Sequence, residues 1–382
     1  MTDAPKKRSR VRQAACAAAN LVLSVACLCI LAAVALGLLL AQSDTADTVK
    51  AADRQLGDRF DQYMTNRLSD SLEGIASIEK VYWLDDHDTV APEPDPDKFG
   101  TATDPKELAW LIEAAQPLLE GQTLSFTTDT HILPGSEIIY YLDETILCIT
   151  WKEVHGDSCY TFSEVKIKHP SQLRRFLADD TYGSDKQYYG SDMARSVNAV
   201  TASNGDFYKF RSYGFVTYYG KVYRSDSWLD TCFVDDQGQL LMVPRGQLHN
   251  IEQAQAFVDE HNVRFSLAFG PILIRDGKNV VPSAYACGEI DDNYSRSALA
   301  QLDTLHYMLC VTSFEASAWG MPDSRSFAEV LLRKGCLNAY SLDGGQTTLL
   351  MTNDQIINRT SYDSERTVSD IIYFATAVPS GG

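Results

Sequence analysis

Apolar positions along this chain change their spacing three times, and each change marks a different kind of structure. From Ala14 to Ala41 the sequence is apolar and carries no charge; its densest part, Leu21 to Ala41, would span roughly 30 Å as a helix, about one hydrocarbon thickness. Between Asp44 and Lys80 the apolar side chains Leu56, Phe60, Tyr63, Met64, Leu68 and Leu72 recur every three or four positions among polar ones, which predicts a helical stalk. Alternate prolines among carboxylates (Pro92, Pro94 and Pro96 within Asp85–Thr103) predict an extended, solvated linker. A short helix is expected over Pro105–Leu119, with Asp104 as its N-cap and Pro105 at its first position. From about Thr123 onward, β-branched and aromatic runs alternate with turn residues. Strands are expected over Ile138–Trp151 and Tyr160–Ile167 around a turn at His155-Gly156-Asp157. Further hairpins are expected at Phe215–Tyr223, Thr231–Val243, Ile272–Val281 and Leu349–Ile357, with a final strand at Asp370–Ala377. Helices are expected at Ser171–Leu177, at Ile251–His261 behind an Asn250 cap, and at Ser324–Lys334 ended by Gly335. Hairpins outnumber strand–helix–strand alternations, so the fold class is α+β, a mixed but largely antiparallel sheet domain with a few packed helices.

Charge turns this pattern into an orientation. Residues 1–12 hold five basic residues and one acidic residue, ahead of the apolar block. A cleaved secretory signal has a shorter apolar region, about 7–15 residues, so the run reads as an uncleaved signal anchor with its basic side cytoplasmic. The resulting division is a cytoplasmic tail at 1–12, a transmembrane anchor at 13–41, stalk, linker and short helix at 42–122, and a folded extracellular domain at 123–378. The expected partner of residues 14–41 is the lipid bilayer. Beyond residue 12 the chain has 28 basic against 50 acidic residues, a formal −22. Such a surface repels nucleic acid and anionic headgroups, which argues against both as partners of the domain.

Cysteine and histidine usage excludes familiar chemistries. Three of nine cysteines fall in the apolar block, no Cys-x-x-Cys occurs, and no His/Cys spacing suggests zinc. Cys148 and Cys159 flank the predicted hairpin turn, so a cross-strand disulfide is conceivable, but with so few cysteines in so long a domain the thiols read as small buried hydrophobes. A nucleophile elbow, a P-loop, a dinucleotide fingerprint and a His-Glu-x-x-His helix are all missing. His306, inside the apolar run Leu305–Val311, reads as a core histidine.

Four polar clusters interrupt the apolar domain instead. They are Ala202-Ser203-Asn204-Gly205-Asp206-Phe207-Tyr208, Tyr294-Ser295-Arg296-Ser297-Ala298-Leu299, Leu342-Asp343-Gly344-Gly345-Gln346-Thr347, and Asn358 through Glu365-Arg366-Thr367-Val368. Singly, each has a plain explanation. Asn204-Gly205 suits a type I′ turn, Asp343-Gly344-Gly345 a tight turn after a buried strand, and Glu365-Arg366 a solvated pair. In order and spacing, together with Phe269-Gly270-Pro271-Ile272-Leu273-Ile274-Arg275-Asp276-Gly277, they resemble the phosphodiester glycosidase family over roughly Thr161 to Thr376. The chain departs from the family pattern at Gln346 and Thr347, where a third glycine and a serine are usual, and at Asp206 and Ser295.

The resemblance implies hydrolysis of the bond between an anomeric carbon and a phosphodiester, in a phosphorylated glycan or wall polymer of the cell envelope or in an exopolysaccharide. A phosphate leaving group is already a stable anion, so the site needs cations to hold it and a carboxylate to activate water or steady the oxocarbenium-like centre. Arg296 and Arg366 suit the phosphate, since guanidinium binds its oxygens in pairs. Gly344 and Gly345 would add backbone N–H groups. Asp343 is the first choice of carboxylate, ahead of Asp206 and Glu365; Asn204, Gly205, Thr347 and Asn358 complete the expected substrate-binding set. No cofactor is demanded by the sequence, and a divalent cation such as calcium is compatible with these carboxylates. Two other readings stay open: a non-catalytic polymer-binding module on the same fold, and a membrane-tethered interaction protein.

Overall fold

A computed structural model describes residues 91–285, 290–315 and 320–378. The predicted anchor at 13–41 and the stalk at 44–80 lie outside the described residues, among which no helix is long and apolar enough to cross a membrane.

Every strand ladder is antiparallel. The main sheet runs Phe99–Ala102, Ile138–Leu142, Ile146–His155, Ser158–Ile167, His306–Ser313, Ser297–Asp303, Asn338–Leu342, Ile272–Arg275 and Lys278–Asn279. Its two faces bury different sets. Trp151, Phe162 and Met308 point to one side, where they meet Leu108, Leu111, Phe327 and Leu331 of the overlying helices. Ile146, Val165, Leu309 and Tyr340 point to the other, against Leu173, Val200, Leu350 and Ile372. Because strand side chains alternate between faces, a strand covered on both sides must be apolar or internally paired throughout. Ser158–Ile167 shows how: Glu164 is buried within it, and accepts hydrogen bonds from the Ser125 and Phe126 amides at 2.7 and 2.8 Å while facing His306 Nε2 at 2.9 Å.

Six elements position the site. They are β1 (Leu173–Leu177), β2 (Thr201–Asn204), β3 (Ile272–Arg275), β4 (Ser297–Asp303), β5 (Asn338–Leu342) and β6 (Asp370–Phe374). In the second sheet β2 lies beside β6, which lies beside β1. In the main sheet β4 lies beside β5, which lies beside β3. A third sheet of five strands packs with them, carrying helix Ile251–Glu260 on its outer face through Ala254 and Val258. Asn250 caps that helix by accepting from Gln253 N at 2.8 Å, as its sequence predicts.

Three local expectations are corrected, and the cysteines are buried free thiols as expected. Ser171–Leu177 is strand β1 after a single 3-10 turn, not a helix. Its Leu173, Phe176 and Leu177 have helical spacing, but all five positions are buried because Arg175 finds carboxylates inside. Asn204-Gly205 is not a hairpin turn: the chain leaves β2 there, and a Cβ on Gly205 would sit 1.9 Å from the Asp370 carboxylate. The folded region also begins earlier than residue 123. Phe99–Ala102 pairs with Ile138–Leu142, and Leu108, Leu111 and Leu119 enter the core. Cys148 and Cys159 are free and buried; they face Val165 and Val154 across the hairpin rather than each other.

Candidate active site

Strand β5 delivers Asp343 to the end of the main sheet, and the neighbouring sheet meets it there. The Asp343 amide donates to the Gly205 carbonyl at 3.1 Å, and the Gly205 amide donates to the Asp370 carbonyl at 3.0 Å. Asn204 Nδ2 donates to the Asp343 carbonyl at 2.7 Å, while Asn204 Oδ1 accepts from Leu349 N at 3.1 Å. The first and third polar clusters are therefore one hydrogen-bonded junction. Gly344 makes the close approach possible: a Cβ there would lie 2.5 Å from the Ser295 carbonyl. The second cluster thus packs directly against the third.

Between them is a small cleft of about 90 Å³, lined by Phe269, Tyr294, Arg296, Ser341, Asp343 and Gly344 among others. That is the share of liquid volume of about three waters, enough for one small polar group but not for a whole hexose. A larger cavity of about 600 Å³, beside Trp110 and Tyr140, contains none of the predicted site residues.

Asp343 is the carboxylate of this cleft. Burial pushes its pKa up to about 6; the Thr347 hydroxyl, the positive charges of Arg211 and Arg366, and the Gly344 amide pull it back. Thr347 Oγ1 lies 2.7 Å from Asp343 Oδ2 and 2.8 Å from the Gly344 carbonyl. Burial also lowers the pKa of Arg366, opposed by Asp343. Arg296 lines the cleft, its Nη2 donating to the Asp292 carbonyl at 2.5 Å and its Nε to the Pro322 carbonyl at 3.4 Å.

The other two carboxylates are engaged elsewhere. Asp206 is fully buried: Oδ1 pairs with Arg175 Nη2 at 2.7 Å and accepts from Tyr208 N at 3.0 Å, and Oδ2 accepts from Ala268 N at 2.7 Å. Arg175 reaches Asp370 as well, at 2.7 Å, so the three form a buried ion cluster behind Gly205. Burial alone would lower the Arg175 pKa, but the two carboxylates outweigh it and push it up. Glu365 accepts from Ser191 N at 2.7 Å and from Ser191 Oγ at 2.6 Å. It therefore caps the first turn of helix Gly190–Ser196, which the sequence did not announce because its cap comes from 174 residues away.

Among the expected substrate-binding residues, Asn204 and Asn358 hold backbone rather than ligand. Asn358 Oδ1 accepts from Leu350 N at 2.7 Å, and its Nδ2 donates to the Thr348 carbonyl at 3.0 Å. The Gly345 amide donates to the Ser295 carbonyl at 2.9 Å, which removes it from the anion-binding role expected of it. Sequence reasoning missed Arg211. Its guanidinium lies 4.2 Å from the Phe269 ring centroid at the cleft wall, and nothing in the loop around it distinguishes it from a surface arginine. Arg175 and Asp370, which brace the junction, were missed because their pairing joins distant strands.

A carboxylate with a raised pKa in a small cleft lined by Arg296, within the field of Arg211 and Arg366, is chemistry that suits an anionic ester. Residues 197–375 match the family model described as phosphodiester glycosidase. The chain carries a phosphodiester glycosidase domain. A similar fold is found in the zebrafish N-acetylglucosamine-1-phosphodiester alpha-N-acetylglucosaminidase catalytic domain, auto-inhibited by its pro-peptide. That match has a TM-score of 0.51 and 13% identity, and covers 79% of this chain and 100% of the zebrafish one. A hypothetical protein from Synechocystis is a looser match, with a TM-score of 0.49 and 16% identity over 65% of each chain. No curated protein matches the sequence. The match makes residues 197–375 a phosphodiester glycosidase-like hydrolase domain. Within that domain lie Asn204, Arg211, Arg296, Asp343 and Arg366, so the whole cleft falls inside the matched region.

Proposed function

We propose that the domain hydrolyses a sugar-1-phosphodiester in a phosphorylated glycan of the cell envelope or in an exopolysaccharide, outside the membrane that residues 14–41 anchor it to. One observation carries the reading: Asp343, poised near pH 6 in a cleft lined by Arg296 and under the influence of Arg211 and Arg366. With Asp206 and Glu365 engaged elsewhere, Asp343 is the one carboxylate among the described residues that line the cleft. An ordinary glycoside needs a second carboxyl group to protonate its leaving oxygen. A phosphodiester does not, because the departing phosphate is already stable as an anion.

In this mechanism the arginines hold the phosphate and stabilise the charge that grows on its bridging oxygen as the anomeric bond breaks. Asp343, ionised above about pH 6, takes the proton from the attacking water or faces the oxocarbenium-like carbon. Thr347 fixes the rotamer of that carboxylate. The cleft admits the phosphate and leaves the sugar outside its mouth.

The test is hydrolysis of a panel of sugar-1-phosphodiesters by the full chain and by Asp343→Asn, with and without calcium. Turnover that Asp343→Asn abolishes supports the reading. No turnover under any condition, with retained binding of wall polymer, would move the assignment to a binding module. Among the described residues no group of three or more His, Cys, Asp or Glu is placed to hold a metal, and the calcium arm tests metal dependence directly.

A further inference from the structure

We infer that the cavity beside Trp110 and Tyr140 is a second ligand site, which takes neutral sugar units of a glycan at a distance from the Asp343 cleft. The site stands on its own geometry; that the glycan is a polymer whose phosphodiester the cleft attacks rests on the proposed function.

The cavity measures about 600 Å³, the share of liquid volume of about twenty waters and within the usual range of ligand pockets, about 300–1,000 Å³. Its aromatic wall is a fixed corner. Trp110, on helix Ala109–Ala114, meets Tyr140 edge to face at 5.7 Å and 80°, and stays 53% exposed. Tyr140 in turn lies across Gly100, where a Cβ would come 2.2 Å from the Tyr140 hydroxyl, so any larger residue there would displace the ring. Phe99 joins the same wall. A sugar has C–H faces that pack on such rings, which takes apolar surface of both out of water. Strand β4 connects this cavity with the Asp343 cleft. Ser297 pairs with Leu342, the residue before Asp343, and Asp303 lies two residues before Leu305 in the cavity wall. The length of β4, at about 3.4 Å per residue, puts the two about 20 Å apart. One sugar cannot reach both, and a glycan chain can.

The polar part of the wall favours a neutral, hydroxyl-rich ligand. Four carboxylates and three ammonium groups line the cavity, so their charges nearly cancel and neither an anion nor a cation is matched. Hydroxyls both donate and accept, and can use either kind of group. Lys166 is the buried member of this set. Strand alternation puts it on the same face as Phe162, under the helices, and it is only 2% exposed. An ammonium has three N–H donors. Lys166 Nζ gives one to the Thr304 carbonyl at 2.9 Å, and makes no other hydrogen bond or ion pair among the described residues. Burial lowers its pKa, and the charges of Glu120 and Asp303 oppose that. A buried cation with donors to spare costs stability, and a sugar hydroxyl in the cavity would accept from it.

The experiment titrates the full chain with cellohexaose, maltohexaose and the hexamer of N-acetylglucosamine, followed by calorimetry, with myristate as an aliphatic control. At least one hexasaccharide should bind saturably, and myristate should not. Trp110→Ala should weaken that binding on the order of tenfold or more, and because the side chain is half-exposed its loss leaves the fold intact. Lys166→Met removes the charge and keeps the length; it should weaken binding by a similar factor without lowering the unfolding midpoint. Asp343→Asn should bind as the unmutated protein does, and Trp110→Ala should hydrolyse a small sugar-1-phosphodiester at the unmutated rate. Three results would overturn the inference: no binding of any of the three hexasaccharides, binding that both cavity variants leave unchanged, or Trp110-dependent binding of myristate in their place. Turnover of the small diester in those cases leaves the proposed function standing. Trp110-dependent hexasaccharide binding without turnover of any diester would remove the proposed function and keep the second site.

Discussion

Thr347→Val offers the sharpest test of how Asp343 is tuned. The Thr347 hydroxyl has one proton and two acceptors within reach, Asp343 Oδ2 at 2.7 Å and the Gly344 carbonyl at 2.8 Å. If the proton goes to the carboxylate, valine removes a hydrogen bond that favours the charged form, and nothing replaces it at a position only 4% exposed. A hydrogen bond to a charged group is worth about 1.5–3 kcal/mol, and one pKa unit is 1.36 kcal/mol, so the Asp343 pKa should rise by about one to two units from its starting point near 6. As a base, Asp343 works only when ionised. The acid limb of kcat/KM should therefore move up by that amount, with activity falling about five- to fiftyfold near pH 6 and recovering by about pH 9. Thr347→Ser, which keeps the hydroxyl, should overlay the original profile. The assay is kcat/KM against pH from 4 to 9, which reports the free enzyme. A limb that stays put or moves down in Thr347→Val would refute the reasoning and assign the proton to the Gly344 carbonyl.

Other predictions follow from the same geometry. Because folding raises the Asp343 pKa from 3.8 to about 6, the folded state holds the proton more tightly than the unfolded one. Stability from this group is therefore present at low pH and is lost as pH rises through about 4 to 6. Asp343→Asn should be inactive yet more stable near pH 7.5, by at most about 3 kcal/mol; urea unfolding at pH 4.5 and 7.5 reads the difference, and an unchanged or lower stability at pH 7.5 would contradict it. Arg175→Met strands Asp206 and Asp370 without their cation and should cost about 3–5 kcal/mol, measured by the same unfolding. Gly344→Ala must push the Asp343 loop away from the Ser295 carbonyl, so activity should fall at least tenfold while far-ultraviolet circular dichroism stays native. Cys148, Cys159, Cys232, Cys310 and Cys336 are buried, and burial pushes all five thiols up; in a mass-resolved alkylation they should react only after unfolding.

Much of the sheet framework was written locally. Gly156, Gly220, Gly238 and Gly277 adopt positive φ at the hairpin turns where the sequence placed them, and Asn250 and Asp104 cap the helical turns they precede. Turn and cap chemistry act over two to four residues, so a single sequence displays them. The same locality explains the failure at β1, whose burial pattern depends on carboxylates contributed by β6 and by the segment after β2. It also explains why Asp206 and Glu365 stood behind Asp343 as candidate carboxylates. Asp206, Asp343 and Glu365 all stand in polar clusters after or before strands, and only the tertiary pairing gives Arg175 to the first, Ser191 to the last, and the cleft to Asp343. Arg211 packs against Phe269, a wall of that cleft 58 residues further along, because Arg224, 13 residues further along, holds its loop. The sequence by itself determined the antiparallel α+β framework and the glycines at its turns, because those are short-range steric facts. Only the tertiary structure decided which carboxylate stays open to a ligand and which cations share its field, because burial and ion pairing are set by strands that meet across the whole chain.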